Sequence, residues 1–345
     1  MLRRYVAICV LRQWNLNTLN HAINGVICKV EVHMSTICKE HNPLVSILIV
    51  VKNEEKHLPI LLRLINKQTY RNIEVVIIDN GSTDRTPYII EEFRKTSPFN
   101  VKVDRVIGTL AQAYNKALDL AEGEYIAIIG GDEYPVQTWI EEHVRCLQGG
   151  CDACLAPVIY IPSREGGFNR HVADWYYNRS ILEVLFNASN IGKRIVFNTG
   201  NVSLKACTIK KVRFYKPMTI SEDGEMSYRF IKHGFKLCFE SRAMVFHPSP
   251  SNLRQHISFW WKLAYANKAL TDVHNYVDLK KILIKNVLLF HLDPREWIKT
   301  SKYCAEKLPV MSLLHLAAFI AFAGTITKLY VKREKVLYRY IQREK

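Results

Sequence analysis

The sequence predicts an α/β protein: a mostly parallel sheet sandwiched by helices, followed by a helical, basic and apolar C-terminal appendage. Three observations predict it. Apolar runs rich in β-branched residues alternate with amphipathic stretches between Pro43 and about residue 150, and that rhythm builds parallel sheets covered on both faces. The runs are apolar at nearly every position, as strands buried on two faces are. Polar loops follow three of them, at the strand ends where ligands bind in such sheets.

Each element has its own reason. Leu44–Val51 (LVSILIVV) is a continuous buried strand. In EEKHLPILLRLINKQ, Leu58, Leu61, Leu62 and Ile65 share one helical face. Ile73–Asp79 (IEVVIID) is the second strand, closed by the turn Asn80-Gly81-Ser82. Asp84 can cap a helix starting near Thr86-Pro87, where proline's missing N–H costs little. VKVDRVI is the third strand, and AQAYNKALDLAEG is a helix ended by Gly123. Glu124–Ile129 is the fourth strand, with a helix expected from about Pro135 to Leu147. Further on, residues 171–190 read as helical and aromatic, and Thr199–Ala206 as a short strand. Ser221–Gly234 opens with a capping serine and acids and stops at glycine, a well-marked helix. FKLCFESRAMVFH gives strands ending at His247.

Composition narrows the function. The chain has 345 residues, 48% hydrophobic and 23% charged, with net charge +16, an ordinary globular balance. The excess is late: residues 251–345 carry 17 basic and 7 acidic side chains. A basic tail beside apolar segments suits an anionic membrane surface. No nucleic-acid motif accompanies it, so no nucleic-acid partner is expected. Nine scattered cysteines suggest a reduced, cytosolic chain. Cys151 and Cys154 form one CxxC, but no second pair follows at zinc spacing, so two ordinary thiols are expected.

Residues 1–42 are irregular, too polar to span a membrane and without a clear cleavage site. Met34 is an alternative start, since it leads directly into the first strand. The main domain is expected over 43–250, with a nucleotide-binding half at 43–150 and an acceptor half at 151–250. Residues 251–345 form a membrane-associating region. Within it, Val310–Val331 is close to the roughly 20 residues a spanning helix needs. It spans, lies in the interface, or forms a buried hairpin. The expected location is the cytoplasmic side of a membrane, peripheral or with one C-terminal membrane segment.

Three loops gather chemistry at the strand ends: Lys52-Asn53-Glu54, Asp79-Asn80-Gly81-Ser82 and Gly130-Gly131-Asp132-Glu133. Four blocks, VSILIVVKNEE, VVIIDNGSTD, AEGEYIAIIGGDEYP and ISEDGEMSYRFIKHGFKLCFESRAMVFH, resemble glycosyltransferase family 2 in order and spacing, over about Pro43 to Pro250. The resemblance implies a GT-A (Rossmann-like) fold, a nucleotide-sugar donor and a hydroxyl acceptor, lipid-linked or a glycan. It implies an inverting transfer of one sugar with Mn2+ or Mg2+ as cofactor.

It also implies residue roles. Asp79 contacts the nucleotide base, and Asn53 and Glu54 face the nucleotide. Asn115 matches a helix asparagine on the donor side, although Tyr114 stands where a basic residue is common. The family's Asp-x-Asp has Gly130 in its first place and Asp132 in its second. Asp132 is therefore the expected metal and donor contact, with Glu133 supplying or orienting another oxygen. One or two carboxylates with phosphate oxygens suffice for such a cation. His247 is either a further metal ligand or structural. Asp223 matches the general base that takes the acceptor's proton, with Glu222 and Glu225 as neighbouring alternatives or simple helix-start acids. Asn201, Glu222 and Trp260 are expected on the acceptor side; Trp260 and Trp261 stack on sugar, meet a membrane or pack in the core. The polymerase-type QxxRW is absent after Gln255, which favours single transfer. The phosphate loop of a nucleotidyltransferase is missing from VVKNEEKHL. The remaining rival is a degenerate protein that binds sugar nucleotide or glycan without turnover.

Overall fold

The computed structural model describes residues 42–161, 199–214, 222–250, 252–258 and 261–262. Four parallel strands come first among the described residues: β1 (Val45–Val51), β2 (Ile73–Asp79), β3 (Asn100–Arg105) and β4 (Tyr125–Gly130). Helices α1 (Leu58–Ile65), α2 (Thr86–Thr96) and α3 (Leu110–Leu120) connect them. After β4 come β5 (Tyr134–Pro135), α4 (Trp139–Gln148), β6 (Ala153–Leu155) and β7 (Val158–Ile161). The second half adds β8 (Asn201–Lys205), α5 (Ala206–Val212), α6 (Glu222–Lys232), β9 (Leu237–Phe239) and β10 (Val245–Pro248).

The large sheet runs β3-β2-β1-β4-β8-β6-β9, with only β8 reversed against its neighbours. The expected mostly parallel α/β sheet is therefore present. Register explains why the polar loops meet. Val51 lies opposite Asp79, Asp79 opposite Arg105, and Val50 opposite Gly130. The four strands thus end at one edge. The chain leaves β1 toward β2 on one side and returns to β4 on the other, the switch point where such sheets bind ligands.

Local chemistry sets the elements. Leu58, Leu61, Leu62 and Ile65 are all buried, as their spacing predicts, each contributing roughly 1.5–3 kcal/mol of burial. Thr109 and Gln112 form a reciprocal capping box that starts α3. Asp84 accepts the backbone N–H of Thr86 at 2.9 Å, as a capping acid there should. Gly234, at φ 72°, follows the end of α6 in a conformation that costs glycine little.

A second sheet, β5-β10-β7, explains one departure. The helix expected from Pro135 begins instead at Trp139. Tyr134 and Pro135 pair with Phe246 and Val245 of β10, so those two residues are held extended. That pairing brings His247 to the loop after β4.

The cysteine expectation is corrected. Cys146 bonds Cys154, and Cys151 bonds Cys238. The CxxC residues are thus not free thiols, and neither pairs with the other. β6 and β9 are adjacent parallel strands with Cys154 opposite Cys238, which gathers all four. Among the described residues Cys207 is the free, exposed cysteine. No helix among those residues is long and apolar enough to cross a membrane. Residues 1–41, 171–190 and 310–331 lie outside the described residues, as do Ser221 and Trp260.

Candidate active site

The β2 end is built around Asp79. It is only 4% exposed. One carboxylate oxygen accepts the Ser82 N–H at 2.9 Å, closing the turn. The other, Oδ2, is buried without a hydrogen bond, with the Arg105 guanidinium 3.4 Å away. An acceptor left in that state suits a donor group from a bound ligand. Asn53 sits in the left-handed region at φ 59°. Its backbone N–H donates to Ser82 Oγ and its side-chain oxygen accepts from Thr83 N–H. It therefore ties the loop after β1 to the loop after β2. Glu54 is tied in the same way, through its N–H to the Thr86 hydroxyl. Asn80 both donates to the Gly108 carbonyl and accepts from its N–H, fixing the loop after β3. Ile107, in that loop, is 85% exposed beside Gly81.

The β4 end holds the second group. Asp132 Oδ2 lies 3.3 Å from His247 Nε2. Burial opposes ionisation of Asp132, but the hydrogen bond and charge of His247 outweigh it and hold the carboxyl below its usual range. Burial likewise opposes protonation of His247, and Asp132 overturns it, raising the imidazole to about 9. His57, hydrogen-bonded to Tyr134 at 2.6 Å, adds to the field on Asp132. Burial and the Asp132 charge push Glu54 up to about 7. Glu133 turns inward; its Oε2 accepts the Gly130 N–H at 2.8 Å, and burial pushes it up to about 8. At Gly131 an added Cβ would meet Val51 Cγ1 at 2.6 Å, so only glycine lets this turn lie against β1.

Asp132 and His247 are the side chains here that can hold a cation. Among the described residues no three His, Cys, Asp or Glu side chains form a ready-made cage. Asp132 and His247 are paired with each other at 3.3 Å; they fit a divalent ion whose other ligands are phosphate oxygens and water only with the imidazole proton displaced by that ion.

The third group is on α6. Glu222 and Asp223 open its first turn. Glu222 is buried beside Asp223 and pushed up to about 8. Thr199 donates to it at 3.4 Å. Asp223 is half-buried, accepts the Gly224 N–H at 2.6 Å, and is raised to about 6, chiefly by burial. A pair poised this way can share one proton near neutral pH. Glu225 instead holds Arg229 with both oxygens. Tyr114 is buried, and burial first and the charge of Glu222 second hold its phenol above the usual range. Its family-unlike identity was visible in the sequence, but its burial against Phe214 was not.

Two expected site residues point elsewhere. Asn115 is buried and clamps Phe214, donating to its carbonyl at 2.8 Å and accepting its N–H at 3.0 Å. Asn201 is also buried. Its oxygen accepts from Trp139 at 2.8 Å and lies 3.0 Å from His143 Nε2; its amide donates to the carbonyls of Pro157 and Ala243. Both ends of its side chain are thus committed to core partners. Trp261 is partly exposed.

Residues 46–204 match the family model described as glycosyl transferase family 2. The chain is similar to glycosyltransferase AglE of Haloferax volcanii, 28% identical over 213 residues, covering 60% of this chain and 67% of that protein. It is similar to glycosyltransferase GlyA of Streptococcus pneumoniae, 24% identical over 207 residues, covering 58% of this chain but only 30% of that protein. A solved mannosyltransferase, PcManGT from Pyrobaculum calidifontis in complex with GDP-Man and Mn2+, has a TM-score of 0.55 at 15% identity, covering 94% of this chain and 92% of that one. That likeness shows a shared fold.

Proposed function

Residues 46–204 belong to glycosyltransferase family 2, and from that premise we propose that the chain transfers one sugar from a nucleotide-sugar donor to a hydroxyl acceptor. The transfer inverts the anomeric carbon and uses a divalent cation. The observation that carries this reading is the pairing of Asp132 with His247 at the β4 end, on the edge where Asp79 leaves one buried oxygen unbonded.

Asp79 Oδ2, ion-paired with Arg105 but without a hydrogen bond, accepts a hydrogen from the nucleoside. Asp132, and His247 after it gives up its proton to solvent, would hold Mn2+ or Mg2+, which would supply positive charge against the departing diphosphate. Asp223 takes the proton of the acceptor hydroxyl as that oxygen attacks. Glu222, kept protonated by burial, withholds a second negative charge from beside it. One displacement with no enzyme nucleophile inverts the sugar.

The catalytic unit spans 43–250, with donor contacts before 150 and acceptor contacts after it. A membrane-bound, lipid-linked acceptor is supported by the basic excess after residue 250. Leu253, Ile257 and Trp261, exposed at intervals of four, favour the same surface. The similar WfaP of Escherichia coli, 35% identical over 105 residues, is named for a diphosphoundecaprenol acceptor.

The test is nucleotide release from a panel of nucleotide sugars with Mn2+. Asp223→Asn should lower turnover at least about 100-fold while leaving the donor-induced rise in melting temperature. Turnover that survives this change would remove Asp223 from its role. Donor binding without turnover under any acceptor would favour a non-catalytic binding protein.

A further inference from the structure

Tyr114 stands where a basic residue is common in the family, and its hydroxyl belongs to a buried chain that ends on α6. The ring stacks on Phe214 with centroids 4.8 Å apart. The phenol shares a side-chain hydrogen bond with Thr199. Thr199, two residues before β8, donates in turn to Glu222 Oε1 at 3.4 Å. All three residues are buried. A threonine hydroxyl has one hydrogen to give. That hydrogen goes to Glu222, so the Thr199 oxygen is left to accept the Tyr114 O–H. Burial holds the phenol above its usual range, so it keeps its hydrogen at any working pH. The charged groups around it are acids: Glu222, Glu133 and Asp223 all bear on the phenol. Arg229, the first cation along α6, is taken by Glu225.

We infer that Tyr114 is a positioning residue: through the Thr199 hydroxyl it fixes the carboxyl of Glu222, and with it the turn of α6 that presents Asp223. The inference rests on the reading of Asp223 as the base and adds two residues that reading does not use. Glu222 and Asp223 are consecutive, so a carboxyl fixed at the first limits the backbone that aims the second. The chain is shielded from water, where each hydrogen bond polarises the next. A basic side chain at 114 would set a countercharge among these acids and hold Glu222 and Asp223 both ionised. The phenol supplies a hydrogen bond and no charge, so the pair keeps a proton.

The experiment uses the full chain and has two readouts, with melting temperatures to check that each protein is folded. The first is the pH titration of the Glu222 carboxyl carbon by NMR, assigned by its loss in Glu222→Gln; it needs neither donor nor acceptor. The Thr199 bond favours ionised Glu222, so Thr199→Val should raise the titration midpoint by about half a unit to one unit. Tyr114→Phe, which keeps the stack on Phe214, should raise it by less, and adding it to Thr199→Val should raise it no further. Thr199→Ser, which keeps the hydroxyl, should titrate like the starting protein. The second readout is nucleotide release from UDP-GlcNAc and GDP-Man with Mn2+. Tyr114→Phe should lower kcat about tenfold with the donor KM unchanged, and in the Thr199→Val background it should lower kcat no more. A Glu222 midpoint unmoved by Tyr114→Phe, or two single losses that multiply in the double variant, would overturn the inference. If the starting protein releases nucleotide from neither donor, the titration decides by the same outcomes. Turnover that survives Asp223→Asn, with the Glu222 titration as expected, would overturn the base reading and leave the link from Tyr114 to Glu222 standing.

Discussion

Replacing Asn115 with leucine separates a structural clamp from a nucleotide contact. Leucine has nearly the same volume but neither donor nor acceptor. The change leaves the backbone N–H and C=O of Phe214 without partners, where Asn115 held them at 3.0 and 2.8 Å. Both Asn115 and Phe214 are buried, so water does not readily replace the lost bonds. An orphaned buried polar group costs about 1–3 kcal/mol, and two give a loss of about 3 kcal/mol. For a folded unit of this size that lowers the melting midpoint by roughly 6–12 °C. The assay is thermal unfolding followed by circular dichroism, with and without nucleoside diphosphate and Mn2+. The midpoint should fall in both, and the ligand-induced rise should persist, because the side chain faces Phe214. An unchanged midpoint together with a lost ligand response would refute the clamp and return Asn115 to the donor site.

Three further outcomes are expected. Asp223 works as a base only when ionised, and burial raises it to about 6; turnover should therefore drop about tenfold per unit as pH falls below that value, and a flat profile down to pH 4 would exclude it. Glu74, buried at the opposite end of β2, takes hydrogen bonds from Ser46 and the Glu122 N–H and an ion pair from Lys102. Burial raises it but these partners win, so its pKa is lowered. Its stabilisation is thus present above the ordinary glutamate value and lost as pH falls through the folded value, and Glu74→Ala should cost about 2–3 kcal/mol at pH 7 in urea unfolding but much less at pH 3. The Cys151–Cys238 bond closes 87 residues and Cys146–Cys154 closes 8; by chain entropy their loss costs roughly 4–5 and 2–3 kcal/mol, so Cys151→Ser with Cys238→Ser should lower the melting midpoint more than Cys146→Ser with Cys154→Ser. The reverse order would contradict the pairing.

The sequence by itself determined the parallel strands, their connecting helices and the polar edge. β1, β2 and β4 are buried on both faces, so their apolar runs are uninterrupted, and the face of α1 repeats with the helical period. Those signals are local, carried by neighbouring residues whatever the rest of the chain does. Asp79, Asp132 and Asp223 were nominated by the resemblance to glycosyltransferase family 2, which matches each to an acid at the end or start of a recognisable element. The tertiary structure alone decided the rest. His247 meets Asp132 because β10 pairs with β5, more than a hundred residues apart in the chain. Asn115 and Asn201 turn into the core because Phe214, Trp139 and His143 leave them partners there. Glu133 folds back onto the Gly130 N–H, and four scattered cysteines pair because β6 and β9 are neighbours. Each of these depends on which distant group a polar side chain finds when water is removed, and residue order along the chain does not encode that distance.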